Sequence, residues 1–317
     1  MDAIPSFSRI LGAARHIDPV FLRSPVASDG TLDALLGCQL RAKVELANPV
    51  GSFKGRGTEL FCATALDAGE AICCASAGNF GQGLARAATA RGHACTVFAA
   101  ERANPVKLDA MRRFGADVRL AGHDFDAAKH AARQYAVAHG LLFVEDGAEA
   151  AIAEGAGTIA LELLREGAFD AIVIPVGNGA LLAGIGTVLH RLAPSVEIVA
   201  VVAGGAPAMK LSIEAGRSIS TEQADTIADG IAVRAPIAST LHYLRGCCDA
   251  IVDVSEPQIV QAMRLVHRHL GHVVEPAGAV GVAAVLAEPA RYTGRRVSTV
   301  LSGGNISGPM RERLLAA

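Results

Sequence analysis

Nine short apolar runs punctuate the chain, and stretches with helical periodicity lie between them. The runs are Arg41–Leu46, Ala71–Ala75, Cys95–Ala99, Asp117–Leu120, Leu141–Val144, Ala171–Val176, Glu197–Val202, Ala250–Val254 and Val297–Leu301. The helical stretches include Gly83–Arg91, Asn104–Phe114, Phe125–His139, Gly157–Glu166, Leu181–Leu192 and Glu256–Leu270. After Gly179, residues Leu181, Ile185, Val188, Leu189 and Leu192 share one helical face. A strand that is apolar throughout is buried on both faces, and strands alternating with helices form parallel sheets covered by those helices. The pattern predicts an α/β fold, and nine strands in 317 residues predict two such sheets. There is no 20–50-residue repeat and no low-complexity linker, so the two lobes are expected to be woven together.

Composition removes several function classes. Hydrophobic residues at 51% and charged residues at 19% are too apolar for a disordered chain. The net charge of −2, the lack of a basic block, the absence of Trp and the 4% of aromatics argue against a nucleic-acid partner. No run is long and apolar enough to predict a membrane span. The seven cysteines are Cys38, Cys62, Cys73, Cys74, Cys95, Cys247 and Cys248. With an odd count and no CxxC they predict small buried hydrophobes, not a disulfide framework or a zinc site. The first residues show no charged start followed by an apolar core, so no signal peptide is expected and the cytoplasm is the default.

Parallel sheets bind ligands at the carboxyl ends of their strands, which directs attention to four loops. In Asn48–Gly57, Lys54 sits in a Gly/Ser-rich turn before a helix. It reads either as solvated surface or as a partly desolvated Schiff-base amine. Ser76-Ala77-Gly78-Asn79-Phe80 follows a strand and opens a helix, where backbone N–H groups suit a carboxylate or phosphate. A rival reading is a dinucleotide fingerprint built from Gly78, Gly81 and Gly83, with Glu101 as the ribose acid; its spacing is imperfect. Gly177-Asn178-Gly179-Ala180-Leu181 reads as a phosphate cradle or a plain tight turn, and it lacks the Gly-Lys-Ser/Thr ending of a P-loop. Ser302-Gly303-Gly304-Asn305 closes the last strong strand and on its own is only a turn. One amine, a phosphate nest, a carboxylate nest and a strand-end hydroxyl together fit pyridoxal 5′-phosphate.

In this order the loops resemble the fold-type II pyridoxal-phosphate enzymes, the tryptophan synthase β-like family, and within it the threonine/serine dehydratase and serine racemase branch. The resemblance runs from about Lys43 to Asn305. It is carried by Gly51–Gly57, Ser76–Asn79, Gly155-Ala156-Gly157-Thr158, the Gly177 loop, Ala228-Asp229-Gly230, Glu275–Ala279 and Ser302–Asn305; Arg23–Val26 resembles the lead-in. It implies two lobes, each a parallel-rich sheet flanked by helices, with the cofactor between them. Mapped here, these are a large cofactor-binding lobe from residues 1–65 and 148–317 and a small one from 66–147.

The resemblance assigns Lys54 as the Schiff-base lysine and as the base at the substrate Cα. It also implies that Phe53 packs on the cofactor ring, Asn79 bonds its 3′-oxygen, and Gly177, Asn178, Gly179, Ala180 and Leu181 hold its phosphate. Ser302 faces the pyridine nitrogen, and Glu275 lies at the same ring edge or simply starts a helix. Ser76, Ala77, Gly78, Asn79, Phe80 and Gly230 bind the substrate. The departures narrow the activity. Ala77 stands where racemases carry an acid/base serine, and alanine cannot move a proton. Val202–Ala208 contains no Asp or Glu, so no metal is expected there. Phe80 replaces the usual histidine, and Asn178 and Ala180 replace two glycines. Asn48-Pro49 and Gly177-Asn178-Gly179 are similar to threonine synthases. The sequence runs to Ala317, so no C-terminal regulatory domain is expected. The expected activity is β-elimination from a β-hydroxy-α-amino acid such as threonine, serine or phenylserine, giving a 2-keto acid and ammonia, with a homodimer as the assembly. The alternatives are a β/γ-replacement enzyme and a catalytically silent pyridoxal-phosphate protein.

Overall fold

The computed structural model describes residues 4–316. The reading of the extreme N-terminus therefore falls partly, at residues 1–3, outside the described residues. Among the described residues there are ten strands: β1 Val26–Ala27, β2 Gln39–Val44, β3 Ile72–Ala75, β4 Cys95–Ala99, β5 Asp117–Leu120, β6 Leu142–Phe143, β7 Ala171–Pro175, β8 Glu197–Ala203, β9 Ala250–Val254 and β10 Arg296–Leu301. They form a six-stranded sheet ordered β1-β2-β10-β7-β8-β9 and a four-stranded sheet ordered β5-β4-β3-β6. All pairings are parallel except β1 with β2. This is the expected pair of parallel-rich sheets.

Side chains alternate between two cores across the large sheet. Ile172 and Ile174 of β7 face the helices Ala150–Glu166 and Ala180–Leu192, while Ala171 and Val173 face the helices Pro276–Ala287 and Glu256–Leu270. The small sheet is covered in the same way. Ile72, Cys74 and Val97 pack with Leu84 and Met111, and Cys73 and Phe98 pack with Ala132 and Ala136 of the helix Phe125–His139. Six of the seven cysteines are buried and none forms a disulfide. Burial pushes thiols such as Cys62 up to about 12, which keeps them protonated hydrophobes.

The structure corrects several boundaries. β1 is a two-residue antiparallel edge, too short to show a period. β2 ends at Val44, so Glu45 and Leu46 belong to the following turn. The helix expected from Gly83 begins at Asn79, because the glycines that open the loop also form its first turn. The helix expected from Gly157 begins at Ala150, its small residues having hidden seven helical positions. The helix Pro276–Ala287 shows no period in the sequence, where only Glu275, read alternatively as a helix-start acid, marks it: the helix is buried on nearly every side and so has no polar face.

Candidate active site

The Lys54 turn is built by local hydrogen bonds. The Asn48 side chain donates to Glu45 O at 3.0 Å and Ser52 O at 3.2 Å, and accepts from Val50 N. Gly51 has φ +65°, and a Cβ there would sit 2.9 Å from Asn305 Oδ1. The turn is fastened to the last-strand loop: Phe53 N donates to Ser302 O at 3.0 Å and Gly304 N to Gly51 O at 2.9 Å. The Ser302 loop, only a turn by sequence, thus sets where Lys54 begins its helix, Lys54–Thr64.

Beneath this helix Arg56 is fully buried. Its guanidinium donates to Glu45 at 2.8 and 2.9 Å and to Glu162 at 2.7 and 2.9 Å, and Lys43 Nζ lies 2.8 Å from Glu162 Oε2. Burial pushes the Glu162 carboxyl upward, but the Arg56 hydrogen bonds and charge, aided by Lys43, overcome this and hold it at about 2.

All the site residues expected from sequence line one cavity of about 440 Å³ between the two sheets. Phe53 and Lys54 enter from one loop, Ser76–Phe80 from the end of β3, Gly177–Leu181 from the end of β7, and Gly230, Glu275 and Ser302 complete the wall. Ser76 Oγ accepts from Gly78 N at 3.2 Å and Gly81 N at 2.9 Å, shaping the turn at the start of the helix Asn79–Ala90. Gly179, at φ +93°, is followed by the helix Ala180–Leu192, and a Cβ at Gly177 would lie 3.0 Å from Gly230 O. Two helix N-termini therefore open on the same space. Each offers first-turn N–H groups without intrahelical partners and the positive end of a helix dipole. Ser302 is nearly buried at the end of β10.

The cavity also holds residues that the sequence did not single out, among them Asp146, Lys107, Lys129 and Arg234. Lys54 Nζ lies 2.8 and 2.6 Å from the two Asp146 carboxylate oxygens and 4.9 Å from the centre of the Phe53 ring. Asp146 follows β6, another strand end, and that position was the only hint available. Lys107, Lys129 and Arg234 also line the cavity, each ion-paired, to Asp229, Glu145 and Asp126 respectively. Glu275 immediately precedes the helix Pro276–Ala287 and lines the cavity, and its Oε1 accepts from Asn79 Nδ2 at 2.5 Å. Glu101, required by the dinucleotide reading, is exposed and is not among the lining residues.

The donor set suits pyridoxal phosphate: one amine beside an aromatic ring, two anion-accepting helix starts, and a hydroxyl and an amide in the same lining. Glycine leaves the needed space, since a Cβ at Gly303 would lie 2.0 Å from Glu275 Oε1 and 2.8 Å from Asn79 Nδ2.

Comparison with known proteins agrees. Residues 17–303 match the family described as pyridoxal-phosphate dependent enzyme. The chain is 33% identical over 306 residues to an L-threonine ammonia-lyase of Thermotoga maritima, covering 96% of this chain and 76% of that one. It is 31% identical over 307 residues to a beta-hydroxyaspartate dehydratase of Paracoccus denitrificans, covering 96% and 97%. The crystal structure of a threonine deaminase from T.th. matches with a TM-score of 0.90 at 34% identity, covering 96% of this chain and 99% of that one. The chain belongs to the pyridoxal-phosphate-dependent enzyme family. Within that family it falls in the threonine dehydratase branch of fold-type II, and its cofactor is pyridoxal phosphate.

Proposed function

We propose that this pyridoxal-phosphate-dependent ammonia-lyase eliminates the β-hydroxyl of a β-hydroxy-α-amino acid with an uncharged β-substituent, such as threonine, serine or phenylserine, giving a 2-keto acid and ammonia. The observation that carries the reading is that one cavity gathers Lys54, both helix N-termini and Ser302. The bound cofactor supplies an aldehyde for the substrate amine and a conjugated ring that draws electrons from Cα. The protein does the rest. The Ser76–Asn79 loop binds the substrate carboxylate, and Lys54 Nζ removes the Cα proton. Gly177–Leu181 anchor the phosphate, Phe53 packs on the ring, Asn79 meets its oxygen, and Ser302 and Glu275 lie at its nitrogen edge. Phe80 and Gly230 bound the β-substituent.

The charge pattern favours an uncharged β-substituent. Lys107, Lys129 and Arg234, the lining cations besides Lys54, already face carboxylates. A second substrate carboxylate, as in beta-hydroxyaspartate, would have to displace one of them. Purified holoenzyme is to be given serine, threonine, phenylserine and β-hydroxyaspartate separately, with keto acid and ammonia measured. The first three are expected to give both products in equal amounts, and preference for the dicarboxylate would overturn the substrate assignment. Product only with a second nucleophile present would indicate a β/γ-replacement enzyme, and no product at all a silent cofactor protein. Lys54→Ala is expected to abolish turnover and to prevent borohydride from fixing the cofactor to the chain.

The proposal includes a lobe of residues 66–147 against a lobe of 1–65 and 148–317, working as a homodimer in the cytoplasm. Light scattering is expected to read about twice the 32.5 kDa chain mass; a monomer at micromolar concentration would overturn the dimer.

A further inference from the structure

Two cavities of about 440 Å³ each stand back to back. One is the active cleft, and the other is lined by Asn104, Asp225, Thr226, Glu256 and Ser307 among others. Lys107, Asp229 and Glu275 line both and form the partition between them. Lys107 rises from the helix Pro105–Arg113, which flanks the small sheet, whereas Asp229 and Glu275 come from segments packed on the large one. A lysine only 2% exposed is unusual and must be explained by its partners. Its Nζ lies 2.6 Å from Asp229 Oδ2 and 3.4 Å from Glu275 Oε2.

Glu275 is as buried as Lys107. Its Oε1 accepts from Asn79, whose own Oδ1 accepts from Asn305 Nδ2 at 2.8 Å; Asn305 Nδ2 also donates to Val50 O at 2.7 Å. Its Oε2 has no close hydrogen bond and lies 3.4 Å from Lys107 Nζ. A continuous polar chain therefore runs from Asp229 through Lys107, Glu275 and Asn79 to the turn that carries Lys54.

We propose that Lys107 is a positioning residue of the cofactor site: its ion pairs across the lobes fix Glu275 against Asn79 and seal the wall between the two cavities. This rests on the reading of Asn79 and Glu275 as cofactor neighbours. Burial raises the Glu275 carboxyl above its ordinary range, the Lys107 charge opposes that, and Asp229 adds to it. Lys107 and Asp229 are the charged groups acting on Glu275, so Lys107 is the counter-charge that favours the carboxylate.

The test compares Lys107→Met, Glu275→Gln and the double variant as holoenzymes, reading the pH titration of bound-cofactor absorbance beside kcat and KM. Without its cation the buried Glu275 takes up a proton. The absorbance titration of Lys107→Met is expected to move by about one pH unit or more, with kcat falling about tenfold. Glu275→Gln should reproduce the spectral change, and the double variant should add nothing to it. Lys107→Arg should restore most of the wild-type titration. A Lys107→Met enzyme with lowered Tm but an unchanged titration would overturn the proposal, as would additive effects in the double variant. If Lys107→Met fails to fold, Lys107→Gln is judged by the same two outcomes. Asn79→Ala separates the underlying reading: if it leaves cofactor absorbance unchanged, Asn79 is not a cofactor contact, whatever Lys107 does.

Discussion

Burying one arginine, two glutamates and a lysine together carries a desolvation cost that only full pairing offsets. The cluster of Arg56, Glu45, Glu162 and Lys43 meets that condition, and because Arg56 lies two residues beyond Lys54, it fixes the start of the Lys54–Thr64 helix. Its pH dependence follows from Glu162, which is held at about 2 against an ordinary value of 4.5. A depressed carboxyl contributes stability that is fully present above the unfolded value and is lost as pH falls through the folded one. The contribution, of order 3 kcal/mol for the shift, should therefore fade between about pH 4.5 and 2. Glu162→Gln leaves Arg56 half-paired and is expected to cost about 3–5 kcal/mol at neutral pH in urea unfolding. The variant should also lose part of the acid dependence in that window; an unchanged acid profile would refute the assignment.

Three helices meet at glycines instead of side chains. A Cβ at Gly155 would lie 2.4 Å from Arg56 O, and one at Gly57 would lie 2.4 Å from Ile152 O. A Cβ at Gly184 would lie 2.0 Å from Ala153 O and 2.5 Å from Gly157 N. The Gly155-Ala156-Gly157-Thr158 motif is therefore a packing device, which lets the Lys54–Thr64, Ala150–Glu166 and Ala180–Leu192 helices approach backbone to backbone. Gly184→Ala should overpack this contact by about 1–3 kcal/mol or more, seen as a lower Tm. Gly12→Ala, in the helix Phe7–Ala13 with nothing within 4 Å of the new methyl, is expected to be neutral or stabilising by up to about 1 kcal/mol. Similar effects at both sites would contradict the packing account. Sequence patterning located most of these elements, because strands buried on both faces and helices with one polar face each leave a period. It gave no period for Pro276–Ala287, which is apolar nearly all round, and it misplaced helix starts made of small residues.

At the scale of the molecule, the segment 229–235 crosses the cleft and pairs with residues flanking the small sheet at two points, Lys107–Asp229 and Asp126–Arg234. The second pair is exposed on both sides, so Arg234→Ala should leave the unfolding free energy close to unchanged. If it also helps hold the segment over the substrate, KM should rise while Tm stays put; an unchanged KM would confine the pair to the surface. Among the described residues no helix is long and apolar enough to cross a membrane, and no group of three or more His, Cys, Asp or Glu residues is placed to hold a metal ion.

Lys54, the Ser76–Phe80 loop, the Gly177 loop and Ser302 were legible from sequence. Each is a local pattern of strand end, small residues and helix start, and such patterns are written in consecutive residues. The carboxylate beside Lys54, the cross-lobe Lys107 and the buried Arg56 cluster were not. Asp146 lies 92 positions from Lys54, Asp229 lies 122 from Lys107, and Glu162 lies 106 from Arg56. A charged residue in isolation reads as solvated surface, since that is where most such residues are found. Only packing the two sheets face to cleft decides which charges lose water, and which distant partner must then replace it.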